Sequence, residues 1–385
     1  MTRRRFLSIS GGAAATALTR LAHLAAAQPP IPGGRVVKTL PLGDPRRRDN
    51  PPLDRLLGDG LDARLFADLS DLAPGRMVTA ADRFFIRTAC PEVVDGVRPW
   101  TITLGGRVRA GATLSIATLQ REAAPVGTHL LECAGNTNPN NFGLMSAAEW
   151  QGVPIAAALD RVAPLDRTSR ILITGVDDEQ RMSLTSVPGA SWIFSREDLE
   201  RAGAFLATHM DGAPLSRHHG APVRLVVPGW YACTCIKWVN RVDWVDADAE
   251  PTSQMLEFAE RTHQPAGVRI ARDFAPATID VAAMPIRVEQ WDVGGRPLYR
   301  VVGIVWGGAT RANALQIRFR TEEAWVDIGE YDPPKTTSTW SLWSHQWRPA
   351  EPGRYYLVVR AKDPGVPTRR LDLFFYVRAV DITDV

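Results

Sequence analysis

The chain has 385 residues and a formal net charge of +3, with 45% hydrophobic and 23% charged residues. This composition is ordinary for a globular protein and excludes a wholly disordered chain. The nearly balanced charge argues against a nucleic-acid-binding protein, which would need a concentrated basic face. The length predicts two domains, since single hydrophobic cores usually stop growing at about 250 to 300 residues.

The first 27 residues are predicted to be an export signal. Residues 2–7 (TRRRFL) precede an Ala-rich stretch that ends in three alanines at residues 25–27. A basic start, an apolar run and a small-residue cleavage site are typical of secretory signals. The paired arginines before Phe-Leu resemble the twin-arginine signal, which exports folded proteins, so we expect a periplasmic protein with no membrane span after cleavage.

The next predicted elements are a lead-in and a first domain. Residues 28–74 are rich in Pro, Arg and Asp, which predicts an extended segment that packs on the following domain. Residues 75–267 mix strand-like runs with helical stretches, as in an α+β or α/β domain. The expected strands are 100–104, 171–174 and 223–227, and the expected helices are 147–162 and 196–207.

A second domain is predicted for residues 268–385. Here the pattern changes to short alternating strands separated by turns, as in residues 314–320, 354–360 and 371–377. Roughly 110 residues of this kind predict a β-sandwich.

Four cysteines, Cys90, Cys133, Cys233 and Cys235, are too few for a disulfide scaffold in a chain of this length. The Cys-Thr-Cys pair at residues 233–235 is not a zinc ribbon, because no second pair follows at metal-ligand spacing. The sequence also has no Cys-x-x-Cys-His motif for a covalent haem. If this protein transfers electrons, it therefore passes them to another protein or to a small molecule.

Residues 129–138 (HLLECAGNTN) place Cys133 directly after an apolar strand and before turn-forming residues. A thiol at the mouth of a sheet suits a redox metal, since a soft thiolate is a good ligand for it. A lone buried cysteine is more often inert packing, however, and composition alone does not decide between the two.

A second run, residues 210–229, contains His219 and Arg224, and Lys237 follows shortly after it. Arginine offers a planar fork and lysine a point charge, both suited to a phosphate or another polyanion. Solvated surface charges are an equally good explanation of these residues by themselves. Nucleotide cofactors are disfavoured, because no Gly-x-Gly-x-x-Gly or Gly-Lys-Ser loop is present.

Taken together, three motifs resemble the molybdopterin-binding domain of sulfite oxidases and bacterial sulfite or sulfane dehydrogenases. They are CAGN at residues 133–136, HGxPVRxVVPG at residues 219–229 and Lys237-Trp238. Residues 302–308 and the strand-rich run after them are similar to the immunoglobulin-like dimerisation domain of the same family. The resemblance covers roughly residues 75–380 and implies an α+β catalytic domain, a β-sandwich and a homodimer.

The resemblance implies a molybdenum-molybdopterin cofactor with Cys133 as the sulfur ligand of the metal. It also implies that Arg87 lies beside the metal and that donors around residue 237 hold the pterin phosphate. The expected cofactor-binding residues are Phe85, Ile86, Arg87, Cys133, Asp177, His219, Arg224, Cys235, Ile236 and Lys237.

The sequence departs from this family on the substrate side. Sulfite oxidases follow the CAGN motif with basic residues, whereas Thr137 and Asn138 stand there in this chain. Where the family has a tyrosine near the metal, Thr262 or His263 would replace it. Arg311 is expected to supply the substrate-side arginine. The expected catalytic residues are therefore Arg87, Cys133, Asn138, His263 and Arg311.

The resemblance implies oxygen-atom transfer to a sulfur compound such as sulfite, with electrons passed to an external acceptor such as cytochrome c. A second hypothesis is the reverse direction, reduction of a sulfoxide or another oxo-acceptor, because the basic and tyrosine positions are lost. A third hypothesis, of another class, is a cofactor-free binding or assembly subunit with the same fold. The joint presence of Cys133, Asp177, His219, Arg224 and Lys237 argues against it.

Overall fold

The fold is described here from a computed structural model of the chain. The predicted export signal at residues 1–27 lies outside the described residues, and so do Thr262 and His263. In the part of the chain that is described, no helix is long and apolar enough to cross a membrane. The described residues are 30–43, 51–53, 55–94, 99–139, 141–165, 169–177, 183, 188–258, 274–333 and 336–385.

The described residues are mostly in strands, with a few short helices. The helices are α1 Ile116–Glu122, α2 Ile155–Leu159, α3 Arg196–Ala202 and α4 Ser253–Phe258. The strands are β1 Gly34–Leu40, β2 Thr101–Gly106, β3 Ala112–Ser115, β4 Ala124–Glu132, β5 Met145–Pro154, β6 Arg170–Gly175, β7 Ser191–Phe194, β8 Phe205–Met210, β9 Ala213–Pro214, β10 Arg224–Val226, β11 Val239–Val245, β12 Ala282–Val293, β13 Arg296–Trp306, β14 Leu315–Arg318, β15 Val326–Asp327, β16 Glu330–Tyr331, β17 Ser341–Trp347, β18 Gly353–Ala361 and β19 Arg378–Ile382.

Two sheets make up the first half of the fold. One has the order β10-β8-β5-β4, with β9 paired to β8, and the other has the order β3-β2-β11-β6-β7. In the second sheet β2 and β11 run parallel, although they are separated by more than a hundred residues. The strands expected at residues 100–104, 171–174 and 223–227 are confirmed as β2, β6 and β10.

Two further sheets, β1-β12-β13-β17-β16 and β15-β14-β18-β19, form the second half. They contact each other through β12, β18 and β19. The strands expected at residues 314–320 and 354–360 are confirmed as β14 and β18. The immunoglobulin-like topology and the domain borders remain predictions.

The strand expected at residues 371–377 is wrong, because this segment forms turns before β19 begins. Leu371, Phe375 and Tyr376 are buried, and the amide of Val377 donates to the carbonyl of Leu373 at 3.2 Å. Buried positions four residues apart fit one helical turn, whereas strand faces alternate every two residues.

The helix expected at residues 147–162 is also largely wrong, since residues up to Pro154 belong to β5 and only Ile155–Leu159 is helical. Strand β5 lies between β4 and β8 and pairs with both. At Gly152 an added Cβ would lie 2.4 Å from the carbonyl oxygen of Leu206, so the strands approach closely there. Tertiary pairing on both edges overrides the helical preference of the alanines.

The helix expected at residues 196–207 is confirmed over its first seven residues as α3. The Ser195 hydroxyl accepts from the amide of Asp198 and caps the helix start. Gly203 adopts φ +65°, a left-handed conformation that ends the helix, and β8 begins at Phe205.

The lead-in divides between the two halves of the fold. Contrary to the expectation that it packs on the following domain, its strand β1 pairs antiparallel with β12 in the C-terminal sheet. Its later part does contact the first half, because Leu65 bridges Ile86 and the amide of Ala67 donates to the carbonyl of Gly143.

A buried ion pair connects the end of β4 to the C-terminal half. Glu132 is fully buried, and Arg369 donates to both of its carboxylate oxygens at 2.7 Å. The indole Nε1 of Trp306 donates to the same carboxylate at 2.7 Å, and Arg369 also donates to the Tyr376 hydroxyl at 2.8 Å. A bidentate, fully desolvated pair of this kind fixes the position of β4 relative to residues 369–376.

Replacing Arg369 with methionine is expected to lower the free energy of unfolding by about 3 to 5 kcal/mol, because it leaves the Glu132 carboxylate buried without its counter-ion and with the Trp306 indole as its remaining side-chain donor. Urea unfolding of the purified variant measures this change. Arg370→Gln is the matched control, since Arg370 pairs with Asp372 on the exposed surface and its loss should change the free energy of unfolding little. Equal losses in both variants would contradict a structural role for the buried pair.

Candidate functional site

Cys133 follows β4 directly and is 3% exposed. Its backbone amide donates to the carbonyl of Leu144 at 2.9 Å, which continues the pairing of β4 with β5 by one residue. The amide of Gly135 donates to the Cys133 sulfur at 3.3 Å. The strand end therefore holds the thiol in a fixed direction, with a backbone donor directed at the sulfur.

The loop after Cys133 is held by Asn136, which is fully buried. Its amide nitrogen donates to the carbonyl of Phe142 at 3.1 Å, and its amide oxygen accepts from the amide of Leu144 at 3.2 Å. One side chain thus ties residues 136, 142 and 144 together, so the turn that starts at Cys133 returns directly to β5.

Arg224, at the start of β10, is buried, and its guanidinium group is one of the cations on the cavity wall. It donates to the carbonyls of His219 at 3.1 Å and Cys235 at 3.2 Å. Its Nε atom is buried without a hydrogen-bond partner, and burial lowers the pKa of the guanidinium to about 10. Among the described residues no carboxylate forms an ion pair with it.

Lys237 supplies a second cation beside Arg224. Its ammonium donates to the carbonyls of Thr88 at 2.5 Å and His218 at 2.9 Å, and lies 4.3 Å from the centroid of the Trp238 ring. Burial lowers the pKa of Lys237 well below its ordinary value, and the nearby Arg224 lowers it further. In the described part of the chain this ammonium, too, is held by carbonyls without a paired carboxylate.

A close approach at Gly220 brings these two cations together. Gly220 has φ +103°, and a Cβ there would lie 3.1 Å from the Cβ atoms of both Arg224 and Lys237. Only glycine combines this backbone conformation with the lack of a side chain. Close packing against Arg224 and Lys237 therefore explains why the HGxPVR motif has a glycine at this position.

His219 lies on the cavity wall, but both of its ring nitrogens are used within the protein. Nε2 lies 3.0 Å from the Phe84 carbonyl, which can only accept, so Nε2 carries the proton. Nδ1 then accepts from the Ser216 hydroxyl at 2.8 Å. Burial lowers the pKa of His219 to about 3, so the imidazole is neutral and positions the wall.

Two arginines approach Cys133 from the lead-in and the segment after it. Arg87 lines the cavity, and its guanidinium donates to the carbonyl of Leu61 at 3.0 Å. Arg64 donates to the carbonyls of Leu61 and Arg87 at 2.9 and 2.6 Å. Burial, and then the neighbouring Arg87, lower the pKa of Arg64 to about 10, while Cys133 opposes this shift.

A different part of the wall carries carboxylates, an amide and a second thiol. Asp177 accepts from the amide of Gly189 at 2.9 Å, and Gln254 donates to the carbonyl of Cys233 at 2.5 Å. Cys233 and Glu257 also line the cavity. Burial, and next the proximity of Cys133, raise the pKa of the Cys233 thiol well above its ordinary value.

Most of these side chains line one cavity, which has about 850 Å³ of space not filled by protein atoms, including the part that is open to solvent. Nine of the residues that the sequence analysis assigned to the site line this cavity, and they lie as far apart in the chain as residues 85 and 237. The nine are Phe85, Arg87, Cys133, Asp177, His219, Arg224, Cys235, Ile236 and Lys237.

Three predicted residues that the structure describes, Ile86, Asn138 and Arg311, are not on this wall. Ile86 is buried in a backbone bridge to Leu65, and Asn138 accepts from the amide of Asn141 at 2.9 Å. Arg311 is exposed and lines a separate, smaller depression, because the chain turns at two glycines of positive φ, residues 307 and 308, after β13. His263 lies outside the described residues.

Sequence reasoning missed several residues of the wall. The role of Cys233 was left open, and Arg64, which lies next to the wall, was not considered, although both interact electrostatically with Cys133. A second cysteine near the HGxPVR run was the only signal for Cys233. The other missed lining residues are Leu61, Phe84, Thr88, Ala190, His218, Ala232, Gln254, Glu257 and Phe258.

The wall fits an anionic cofactor that carries a metal. Among the described residues no group of three or more His, Cys, Asp or Glu could hold a metal ion by itself. Cys133 offers one soft ligand, so the remaining ligands would come from the cofactor. Arg224 and Lys237, which no carboxylate of the described residues neutralises, would be satisfied by a phosphate.

Comparison with known proteins agrees with this chemistry. The sequence model of the family described as "Oxidoreductase molybdopterin binding domain" matches residues 88–253. Mitochondrial sulfite oxidase of Macaca fascicularis is 27% identical over 77% of this chain and 58% of its own length. The catalytic subunit of protein-methionine-sulfoxide reductase from Xanthomonas axonopodis pv. citri is 30% identical over 42% of this chain and 50% of its own length.

The fold also matches a solved structure, that of the sulfane dehydrogenase SoxCD from Paracoccus pantotrophus. The TM-score is 0.60 at 18% identity, and the match covers 90% of this chain and 91% of that chain. The chain spans 56 to 58% of the length of the mammalian sulfite oxidases that it matches.

The His219 imidazole is expected to reduce stability in acid. Its pKa is about 3 in the folded protein against an ordinary 6.5. The stability that the neutral imidazole contributes is therefore fully present above pH 6.5 and is lost as the pH falls towards 3. Between pH 7 and pH 4 the wild type should lose about 3 kcal/mol more unfolding free energy than His219→Gln, which does not titrate.

Urea unfolding at several pH values measures this difference, and NMR of the imidazole nitrogens gives an independent reading. The His219 ring should stay neutral down to pH 4. Parallel stability curves for wild type and variant, or a ring that titrates near pH 6.5, would contradict the neutral assignment.

Proposed function

Because the chain belongs to the sulfite oxidase family of molybdopterin-dependent oxidoreductases, we propose that it transfers an oxygen atom to a small sulfur compound such as sulfite. The cofactor is molybdenum-molybdopterin. The observation that carries the proposal is one cavity with a buried thiol, Cys133, and two cations, Arg224 and Lys237, that no described carboxylate neutralises.

Each side chain has a role in this proposal. Cys133 would bind the metal as a thiolate, and the Gly135 amide would donate to its sulfur. Arg224 and Lys237 would hold the phosphate, and Asp177 would accept from the pterin. The bound cofactor supplies two-electron redox chemistry. The protein holds it, orients the substrate and limits the access of water.

Positive charge near Cys133 supports an anionic substrate. Arg87 lines the cavity and Arg64 lies next to it, and both guanidinium groups are fixed by backbone carbonyls. Fixed cations attract a small oxyanion without reorganising when it binds. The electrons would leave singly to an external acceptor such as cytochrome c, since the sequence has no haem-attachment motif. Periplasmic export and a homodimer belong to the same proposal.

Reduction of a sulfoxide is the second candidate. Thr137 and Asn138 carry no charge, and Arg311 is not on the cavity wall, so the substrate side is less basic than the sequence motifs of sulfite oxidases imply. The similarity to the catalytic subunit of a methionine-sulfoxide reductase favours this direction. The match covers one half of the length of that relative. Parallel assays with sulfite plus cytochrome c, and with sulfoxides plus a reduced dye, separate the two. Activity on sulfoxides alone would overturn the first candidate.

A cofactor-free binding or assembly subunit is the third, and the cavity argues against it. Two buried cations without a paired carboxylate cost free energy in an empty protein, and a phosphate would offset this cost. Folded wild-type protein that contains no molybdenum by elemental analysis, after production with the cofactor available, would support this class and contradict the proposal.

Cys133→Ser is expected to lower oxidoreductase activity by at least about 100-fold, because it removes the thiolate ligand of the metal. Activity and molybdenum content are measured on the same folded preparation. Cys90→Ser is the matched control, since Cys90 is only partly buried and does not line the cavity, and it should keep both. Unchanged activity and metal content in Cys133→Ser would contradict the assigned role.

Asn138→Arg is expected to lower the KM for sulfite by about tenfold. Residue 138 does not line the cavity, but a cation added to the loop after Cys133 attracts the sulfite anion through space. Steady-state assays over a range of salt concentrations measure it, and added salt should reduce the gain. Asn138→Gln is the control for the altered loop. A KM that is the same in both variants would show that charge at residue 138 does not act on the substrate.

A further inference from the structure

A second cavity lies where the lead-in, the loop after Cys133 and the C-terminal sheets meet. It has about 870 Å³ of space not filled by protein atoms, including the part that is open to solvent. Thr39 of β1, Asn141 of the loop, Arg287 of β12 and Arg378 of β19 all line it. None of its lining residues lines the Cys133 cavity, so the two spaces are distinct.

Three polar atoms of this wall are buried without a hydrogen-bond partner. They are the Thr39 hydroxyl, the Asn141 amide nitrogen and Nη2 of Arg287. Arg287 is 1% exposed, and its other nitrogens donate to Glu289 and to the carbonyls of Ser70 and Leu72. All three unpaired atoms can donate, and unpaired buried donors are rare in native proteins. Their common need is an acceptor inside the cavity.

Arg378 adds a buried cation to the same wall. It is 3% exposed, and its guanidinium contacts the carbonyl of Pro139 and the sulfur of Met284. Among the described residues it forms no ion pair, and burial lowers its pKa to about 10 with no charged group opposing the shift. A guanidinium buried without a counter-ion is costly unless an anion reaches it.

The charge around the cavity is positive. Arg287 shares the Glu289 carboxylate with Arg300, at 2.9 and 2.7 Å, so that one carboxylate serves two guanidinium groups. The described acidic side chain on the wall is Asp68, and its carboxylate already accepts from the amide and hydroxyl of Ser70. Arg378 is therefore left without a paired carboxylate among the described residues.

We propose that this junction cavity binds a small oxyanion such as sulfate, held by Arg378 and Arg287 with the Asn141 amide and the Thr39 hydroxyl. Sulfate has only acceptor oxygens, which match a wall whose unpaired atoms all donate. The volume exceeds that of one ion, so sulfate enters with part of its hydration shell. The site is separate from the proposed function, because it needs neither the cofactor nor any residue of the Cys133 cavity.

Sulfate binding is tested on the cofactor-loaded protein by thermal unfolding, with sodium sulfate titrated against sodium chloride at equal ionic strength. The expected result is a saturable rise in unfolding temperature with sulfate. Arg378→Gln should weaken the apparent affinity roughly 10- to 100-fold, because a charge-assisted hydrogen bond to a buried anion is lost. Arg348→Gln is the matched control, since Arg348 also donates to a proline carbonyl, that of Pro297, but lies on the surface.

Two less disruptive variants test the site if Arg378→Gln fails to fold. Asn141→Ala and Thr39→Val each remove an unpaired donor and break no hydrogen bond that its donor atom makes within the protein. Each should weaken sulfate binding about threefold to tenfold and leave molybdenum content unchanged. Selenate soaked into crystals should give an anomalous peak between Arg287 and Arg378.

The proposal is overturned if sulfate raises the unfolding temperature equally in wild type, Asn141→Ala and Thr39→Val, because the effect then arises elsewhere. It is also overturned if selenate is seen in crystals but sulfate has no saturable effect in solution, which would indicate binding at crystal concentration only. The unfolding temperatures and the crystal soaks can still be interpreted if a variant loses molybdenum or activity, since neither measurement depends on turnover.

Discussion

The buried ion pair between Glu132 and Arg369 is the constraint on which the Cys133 cavity depends. Glu132 is the last residue of β4, so whatever holds its carboxylate also fixes the residue that follows it, Cys133. That carboxylate is held by Arg369 and by the Trp306 indole, both from the C-terminal half. A single desolvated pair has a strong orientation requirement, because any displacement leaves a charge buried alone. The C-terminal sheets therefore help to aim the thiol, even though none of their residues lines the cavity.

The two cavities share a second principle, which is that their cations are held by carbonyl oxygens and seldom by carboxylates. Arg224, Lys237 and Arg378 all donate to backbone carbonyls. A carbonyl fixes the direction of a guanidinium or ammonium group but leaves its net charge in place. The wall is thereby rigid and still positive before any ligand arrives, which is the arrangement that binds an anion with the least reorganisation. The neutral His219, with both nitrogens bonded, adds rigidity without charge.

The sequence was sufficient where short motifs and local alternation carry the information. CAGN, HGxPVR and Lys237 come together as expected, and β2, β6, β10, β14 and β18 lie in the expected runs. It failed where long-range contacts decide. Ala147 and Ala148 favour a helix locally but are paired on both edges in β5, and residues 371–377 alternate like a strand but turn so that Leu371 and Phe375 are buried. Glu132 was invisible as a site residue because its partner is 237 residues away.

The loop from Asn136 to Phe142 lies between the two cavities, and this position has a consequence for substrate choice. At its start the Asn136 side chain fixes the turn behind Cys133, and at its end Asn141 and Phe142 line the junction cavity. Midway, the Pro139 carbonyl accepts from Arg378. Thr137 and Asn138, the positions at which this chain departs from sulfite oxidases, are held between these supports. An anion bound to Arg378 would therefore act on the loop that follows Cys133, through a hydrogen bond to the backbone of that loop and without contact with the cofactor.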